Sequence, residues 1–433
     1  MAQTFFFYDL ETSGLNPRQD RIMQFAGQRT DMNLEPIGEP YNLLVTLNDD
    51  TLPSPDALMV TGITPQKTVE EGYTEAQFAR MLSEEIFTPD TIAVGFNNVR
   101  FDDEFIRHLL WRNFHDPYEW SWKDGRSRWD LLDVVRLTRA LRPEGINWPL
   151  DDKGEPSNRL ELITSANGIA HENAHDALAD VTALIAVTKL IKQKQPQLYD
   201  YLLKMRDKKV VQQLVNVDDK KPFVYASGRY DKEFAKTTVA FPLTTSRNGG
   251  VVVYDLRYDP TPFVELSTEE LSKKIFASWE ERQAEDFVKL PVKELQYNRC
   301  PAVAPLGVLE QGDGWQKISL DLKTVQKHQN ILLNHPDFAE KLRTIFENKP
   351  AFKKLPDPEA QLYDGFLNDR DRIRVEAVRN ADERELADFH PEFQDERLAP
   401  LLLHYKARNF PRSLSEDDLA QWEAWRAQRL QAQ

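Results

Sequence analysis

Apolar positions in the first 195 residues fall into short runs alternating with helical periodicities. Residues 4–8 (TFFFY) form an almost unbroken apolar run that ends at Asp9, and residues 41–47 (YNLLVTL) and 91–96 (TIAVGF) are runs of strand length. Over 75–87, 102–114, 130–141, 159–167 and 176–193, apolar residues recur three or four apart, which lays an apolar stripe along a helix. Gly168 follows Leu160, Leu162 and Ile163 where a helix C-terminus favours glycine. Strands alternating with helices predict an α/β layered domain with a mixed central sheet. Near Gln195-Pro196 the pattern changes. Residues 222–229, 238–243 and 250–256 are short β-rich runs broken by Gly, Pro and Asn, which predict a small barrel or sheet, with helices at 268–276 and 322–333. From about residue 349 the chain reads as helical, at 359–367, 369–378, 394–406 and 415–431. The pattern divides the chain into domains 1–195, 196–348 and 349–433, with no internal repeat and no low-complexity tract.

Composition narrows the class of protein. A hydrophobic share of 41% in 433 residues is enough to fill several cores. The single cysteine, Cys300, cannot form an internal disulfide, which suits a reducing compartment. The short apolar run after Thr4 lacks a basic leader, and no stretch reaches the roughly 18–20 apolar residues of a membrane span. These features lead to the expectation of a soluble, cytoplasmic protein. The net charge of −15 argues against a nucleic-acid binder when taken over the whole chain. Carboxylates that hold cations are counted in that sum, however, and Lys204, Arg206, Lys208 and Lys209 show that basic residues cluster locally.

Three acidic elements carry candidate chemistry. In Asp9-Leu10-Glu11 the two carboxylates are two positions apart on a strand, so they project from one face. Alone, such a pair is more often an acidic strand end at a turn, here Thr12-Ser13-Gly14. Asp102 follows the buried run AVGF and stands near a helix start, where an N-cap would also place an aspartate. Asp180 falls within a helix among small neighbours Ala177, Ala179 and Ala183, and His175 just precedes it. Each element alone has an ordinary structural explanation. Together they supply what phosphodiester hydrolysis needs: oxygen ligands for two hard cations, Mg²⁺ with Mn²⁺ as a substitute, and a base of near-neutral pKa.

The three motifs resemble those of the DEDDh exonuclease superfamily, with its Asp-x-Glu, second-motif Asp and His-x-Ala-x-x-Asp. The chain is also similar, over nearly its whole length, to the bacterial exodeoxyribonuclease I family, through GFNNVRFDDEF, RNFHDPYEWSW, SRWDLLDV, ALRPEGINWP, NAHDALADV, QLYDGF and HYKARNFP. The resemblance implies a ribonuclease H-like nuclease domain joined to an SH3-like domain and a helical domain. It implies 3′→5′ digestion of single-stranded DNA to 5′-mononucleotides in DNA repair and recombination. It makes Asp9, Glu11, Asp102 and Asp180 the catalytic acids, with Asp9, Glu11 and Asp180 on the metal, and His175 the general base. The chain ends at Gln433, short of the family's usual helical arm, which would weaken enclosure of the strand.

Further residues are candidates for holding DNA. Tyr118, Trp120, Trp122 and Trp129 are interleaved with Arg126 and Arg128, a composition that suits stacking of unpaired bases. Tyr118 and Trp122 are the candidates there, and Trp129 reads as core. Arg107 reads as facing outward on the helix after Asp102, and Arg159 could hold a phosphate, a role the resemblance supports. The family docks the C-terminal tail of single-stranded-DNA-binding protein, for which Arg142 and Tyr201 are candidates. A monomer without membrane association is expected. A ribonuclease on the same core and a catalytically dead single-strand scaffold are the rival readings, and all five motif residues are present against the second.

Overall fold

The computed structural model describes residues 2–171, 175–349 and 354–432. The chain divides into two compact units: Met1–Trp129 with Ile169–Val187 and Phe352–Gln433, and Asp130–Gly168 with Thr188–Ala351.

The first sheet has strands β1 (Thr4–Thr12), β2 (Ile22–Thr30), β3 (Tyr41–Leu44), β4 (Thr91–Gly95) and β5 (Ser127–Asp130), in the order β3-β2-β1-β4-β5. It is mixed: β1 runs antiparallel to β2 and parallel to β4. The aromatic run anchors its centre. Phe6, Tyr8 and Leu10 face one core cluster, while Phe5 on the other face stacks on Trp129 with ring centres 6.0 Å apart. Burying each such ring contributes about 1.5–3 kcal/mol. The β1–β4 ladder ends at Phe7↔Val94, yet β1 continues to Thr12. Asp9 and Glu11 therefore stand beyond the end of β4, where the parallel pair opens; open α/β sheets place ligands at such strand ends. Strand β2 was not evident in the sequence because polar residues and Gly27 interrupt it. Gly27 is needed there: a Cβ would lie 2.3 Å from the Phe6 ring.

Helices Asp369–Asn380, Leu398–Asn409 and Glu416–Ala432 belong to this same unit; apolar residues of the first two pack with Trp111 and Phe114, and Trp422 and Trp425 of the third pack against His404. The helix expected over 359–367 is instead two short 3₁₀ turns, Pro358–Ala360 and Leu362–Asp364. Pro358 opens the first turn, the Asp357 side chain caps it at the Glu359 N–H, and Gly365 follows the second. Charged groups pass through the interior here. Glu359, fully buried, meets Arg21 at 2.5 Å, His404 at 3.0 Å and also Arg408; Arg408 reaches Asp50 at 2.9 Å, and Arg429 reaches Asp357 at 3.1 Å. Asp357, Glu359 and His404 are close enough to chelate an ion. The arginines already supply the compensating charge, so this cluster is an ion-pair network.

The second unit contains an antiparallel sheet of β6 (Phe223–Ala226), β7 (Thr237–Thr245), β8 (Val251–Asp255), β9 (Val292–Leu295) and β10 (Ala302–Pro305), ordered β10-β6-β7-β8-β9. Its core includes Val211, Phe223, Tyr225, Val251, Val253, Leu295 and Val303. Pro242 sits where the β7–β8 register shifts, at an irregularity that tolerates a missing N–H. Strands β9 and β10 escaped sequence reading because Val-Lys-Glu-Leu and Ala-Val-Ala-Pro carry little strand character.

Candidate active site

Strand geometry brings the first two acids together. Asp9 and Glu11 alternate with the buried Tyr8 and Leu10, so both carboxylates leave β1 on the face away from that core cluster. The helix Ala177–Lys194 adds Asp180 near its start. Carboxylate oxygens of Asp9, Glu11 and Asp180 all lie within 4.8 Å of one another, and all three residues are half-buried.

The three consecutive acids at the start of helix Asp102–Arg112 point three ways, because successive helical residues are turned by about 100°. Asp102, buried, is close enough to raise the Asp9 pKa. It is not the N-cap: that position is Phe101, without a side-chain cap bond. Asp103 accepts from Arg128 at 2.8 Å and from the Tyr8 hydroxyl, which fixes the helix to the sheet. Glu104 pairs with Arg107 at 3.2 Å and accepts from the Tyr363 hydroxyl at 2.6 Å.

The electrostatics are those of crowded negative charge. Burial, then the charges of Asp102 and Asp180, hold the Asp9 carboxyl well above its usual range. Burial, then Asp9, Asp180 and Asp176, push Glu11 up to about 9. Burial also raises Asp180, against opposing hydrogen bonds from the His171 ring and the His175 backbone N–H. His175 itself is exposed and has a left-handed φ of 73°, and its ring acts electrostatically on Asp180. His171 was not singled out in the sequence; its Nε2 lies 2.6 Å from Asp180 Oδ1.

Such a cluster is unstable as separate ions and fits hard divalent cations that take oxygen ligands. A pH dependence follows. Raised folded-state values mean full stability below about 4.5, the ordinary Glu value, and loss of stability as pH rises toward about 9. Thermal melts in EDTA should therefore fall across that window, and Mg²⁺ or Glu11→Gln should flatten the slope. A flat profile in EDTA for the wild-type chain would contradict it.

The remaining candidates divide. Tyr118 is half-buried beneath the Arg107 guanidinium, 5.5 Å from its ring centre. Tyr363 and Phe366 approach the same ring at 6.2 and 6.0 Å, and Phe366 is 82% exposed. Arg107 does not face outward as the helical pattern suggested: its side chain is 13% exposed because Glu104 and Tyr363 hold it inward. Trp122 is exposed, whereas Trp120 and Trp129 are core residues. Arg126 donates to the Phe87 and Lys123 carbonyls, and Arg128 is consumed by Asp103. In the second unit Arg159 is exposed and paired with Glu161. There too, Arg142 donates to the Leu141 and Val308 carbonyls and to Gln311, and Tyr201 packs half-buried against the β-sheet core. The Tyr363–Phe366 contribution was hidden because nothing local in QLYDGF indicates that it folds back onto Tyr118. Among the described residues no helix is long and apolar enough to cross a membrane.

Comparison with known proteins agrees with this architecture. Residues 6–188 match the exonuclease family model, 206–348 the exonuclease I SH3-like domain and 356–433 the exonuclease I C-terminal domain. Exodeoxyribonuclease I of Escherichia coli is 41% identical over 99% of this chain and 89% of its own length. The solved structure of E. coli exonuclease I with a dA16 oligonucleotide superposes with a TM-score of 0.95 at 40% identity, covering 99% of this chain and 91% of that one. An SSB/exonuclease I structure with an inhibitor gives 0.90 at 40% identity, covering 99% and 91%. With the mixed sheet, the antiparallel β unit and the C-terminal helices in place, the chain belongs to the exodeoxyribonuclease I family of exonucleases.

Proposed function

We propose that this protein hydrolyses single-stranded DNA from the 3′ end, releasing 5′-mononucleotides. The observation that carries the reading is the convergence of Asp9, Glu11 and Asp180 within 4.8 Å at the open end of β1, with Asp102 beside them. These three carboxylates would hold two Mg²⁺ ions, with Asp102 completing the site. When bound, such ions stabilise charge on the attacking and leaving oxygens of the phosphodiester. His175, exposed beside Asp180, takes the proton from the attacking water. Its exposure keeps the ring near solvent, so the proton has an exit.

Arg107, Tyr118, Tyr363 and Phe366 are the surface on which unpaired bases stack, and exposed Trp122 is a further stacking residue of the same unit; in the second unit Arg159 is, by itself, a phosphate contact. Stacking on an aromatic platform is tolerant of sequence and suits a strand that is digested base by base. Phe366→Ala is expected to weaken oligonucleotide binding by about 1–3 kcal/mol, or about 5- to 150-fold in Kd. Fluorescence anisotropy with a labelled oligonucleotide in Ca²⁺ or EDTA checks it, and unchanged affinity would remove Phe366 from the track. The relatives solved with oligonucleotides and with SSB support both partners for this chain. Arg142 and Tyr201 are the proposed contacts for the SSB tail, in a cytoplasmic monomer acting in DNA repair and recombination.

The decisive experiment incubates matched single-stranded DNA, RNA and duplex, labelled at either end, with Mg²⁺ and with EDTA. Laddering of the 5′-labelled single strand, abolished by EDTA, is the expected result. Preferential attack on RNA, or activity that persists in EDTA, would overturn the reading.

A further inference from the structure

His171 has no part in the proton transfer proposed above, yet its ring is held directly against one member of the acid cluster. Its Nε2 lies 2.6 Å from Asp180 Oδ1, and its side chain is 4% exposed. A carboxylate that ligates a metal is ionised and only accepts hydrogen bonds, so in that state a ring at this distance donates through Nε2–H. The backbone N–H of His175 gives the same carboxylate a second donor. Asp180 is thus gripped from outside the cluster, while Asp9 and Glu11 crowd it from within.

Carboxylates that ligate metals are themselves hydrogen-bonded, because a fixed carboxylate does not lose side-chain freedom when the ion arrives. We propose that His171 is a positioning residue that orients Asp180 and thereby sets the affinity of the acid cluster for divalent cations. The inference rests on the reading that Asp9, Glu11 and Asp180 hold metal. Its action differs from that of His175: His171 holds a ligand, whereas His175 moves a proton.

The test is calorimetric titration of the full chain with Mn²⁺, without DNA, for the wild type and for His171→Ala, His171→Gln and Asp180→Asn. His171→Ala is expected to raise the Mn²⁺ Kd about 10- to 100-fold. His171→Gln, whose amide N–H has comparable reach, should recover most of that loss. In activity assays the Mn²⁺ concentration for half-maximal rate should rise in His171→Ala, with kcat at saturating Mn²⁺ essentially unchanged. Unaltered affinity in His171→Ala, while Asp180→Asn is weakened, would overturn the role of His171 alone. Tighter binding in His171→Ala would make the ring a competitor of the ion, and a fall in kcat with unchanged affinity would make it a proton-transfer group; either overturns the proposal. A wild-type chain that takes up no Mn²⁺ would instead remove the metal reading on which it stands.

Discussion

Asp9→Asn should cut the rate of nucleotide release by about 10³-fold or more, while making the metal-free protein more stable to heat. The first effect follows from the loss of one of the anionic ligands proposed for the cations. Cations at the scissile phosphate are worth several kcal/mol of transition-state stabilisation, and about 1.4 kcal/mol is a factor of ten in rate. The second follows from the cost of the site without its ions. Asp9 is held far above its usual pKa first by burial and then by Asp102 and Asp180, so a neutral amide of the same shape relieves desolvation and repulsion together. Opposite signs in the two readouts separate function from architecture. Single-turnover release from a 5′-labelled oligonucleotide measures the first, and melts in EDTA the second. Full activity would defeat the assignment; a large drop in melting temperature would make Asp9 a structural residue instead. His175→Ala should lower the rate by about 10²–10⁴-fold with no change in melting, since its ring is exposed.

The reason Asp9 could be singled out in the sequence is physical. Four aromatics in a row predict a strand locked in a core, and a strand so anchored determines where the next carboxylates point. The same holds for Asp180, on a long apolar helix, and for Asp102, at the start of another. What stayed hidden depends on approach between segments distant along the chain. Gly27 in β2 makes sense only once the Phe6 ring is seen above it. His171 reads as a lone loop histidine until Asp180 is found 2.6 Å away. The helical pattern turns Arg107 outward, and its inward hold is not legible because Tyr363, its partner, lies in a segment expected to be helical and found in 3₁₀ turns. Periodicity reports which face of an element is apolar; it carries no information about which polar groups a remote loop will bring to meet it.

The buried ion network is the most remote of these meetings, and Glu359→Ala should be the most destabilising single change, costing about 3–5 kcal/mol, the range for breaking a fully buried pair. Burial alone would raise the Glu359 pKa, but Arg408, Arg21 and His404 overcome it and hold the carboxyl well below its usual value. A depressed folded-state value means that its stabilising contribution is present at neutral pH and is lost as the solution is acidified. Without that carboxylate, Arg21 loses its 2.5 Å partner, and Arg21 and Arg408 are left to share Asp50, 3.9 and 2.9 Å away, in the interior. The damage should also reach the acids. Arg21 and Ser13 are bonded twice, Ser13 N–H to the Arg21 carbonyl and Arg21 N–H to Ser13 Oγ, each at 2.9 Å, and Ser13 comes two residues after Glu11. Loosening Arg21 therefore loosens the end of β1 that carries the carboxylates. Chemical denaturation should show the stability loss in Glu359→Ala, and Mn²⁺ titration of the still-folded protein should show weaker binding. If Glu359→Ala unfolds like the wild type, the network contributes nothing. If it unfolds early yet binds Mn²⁺ normally, the network stabilises the fold without holding the active end of β1 in place.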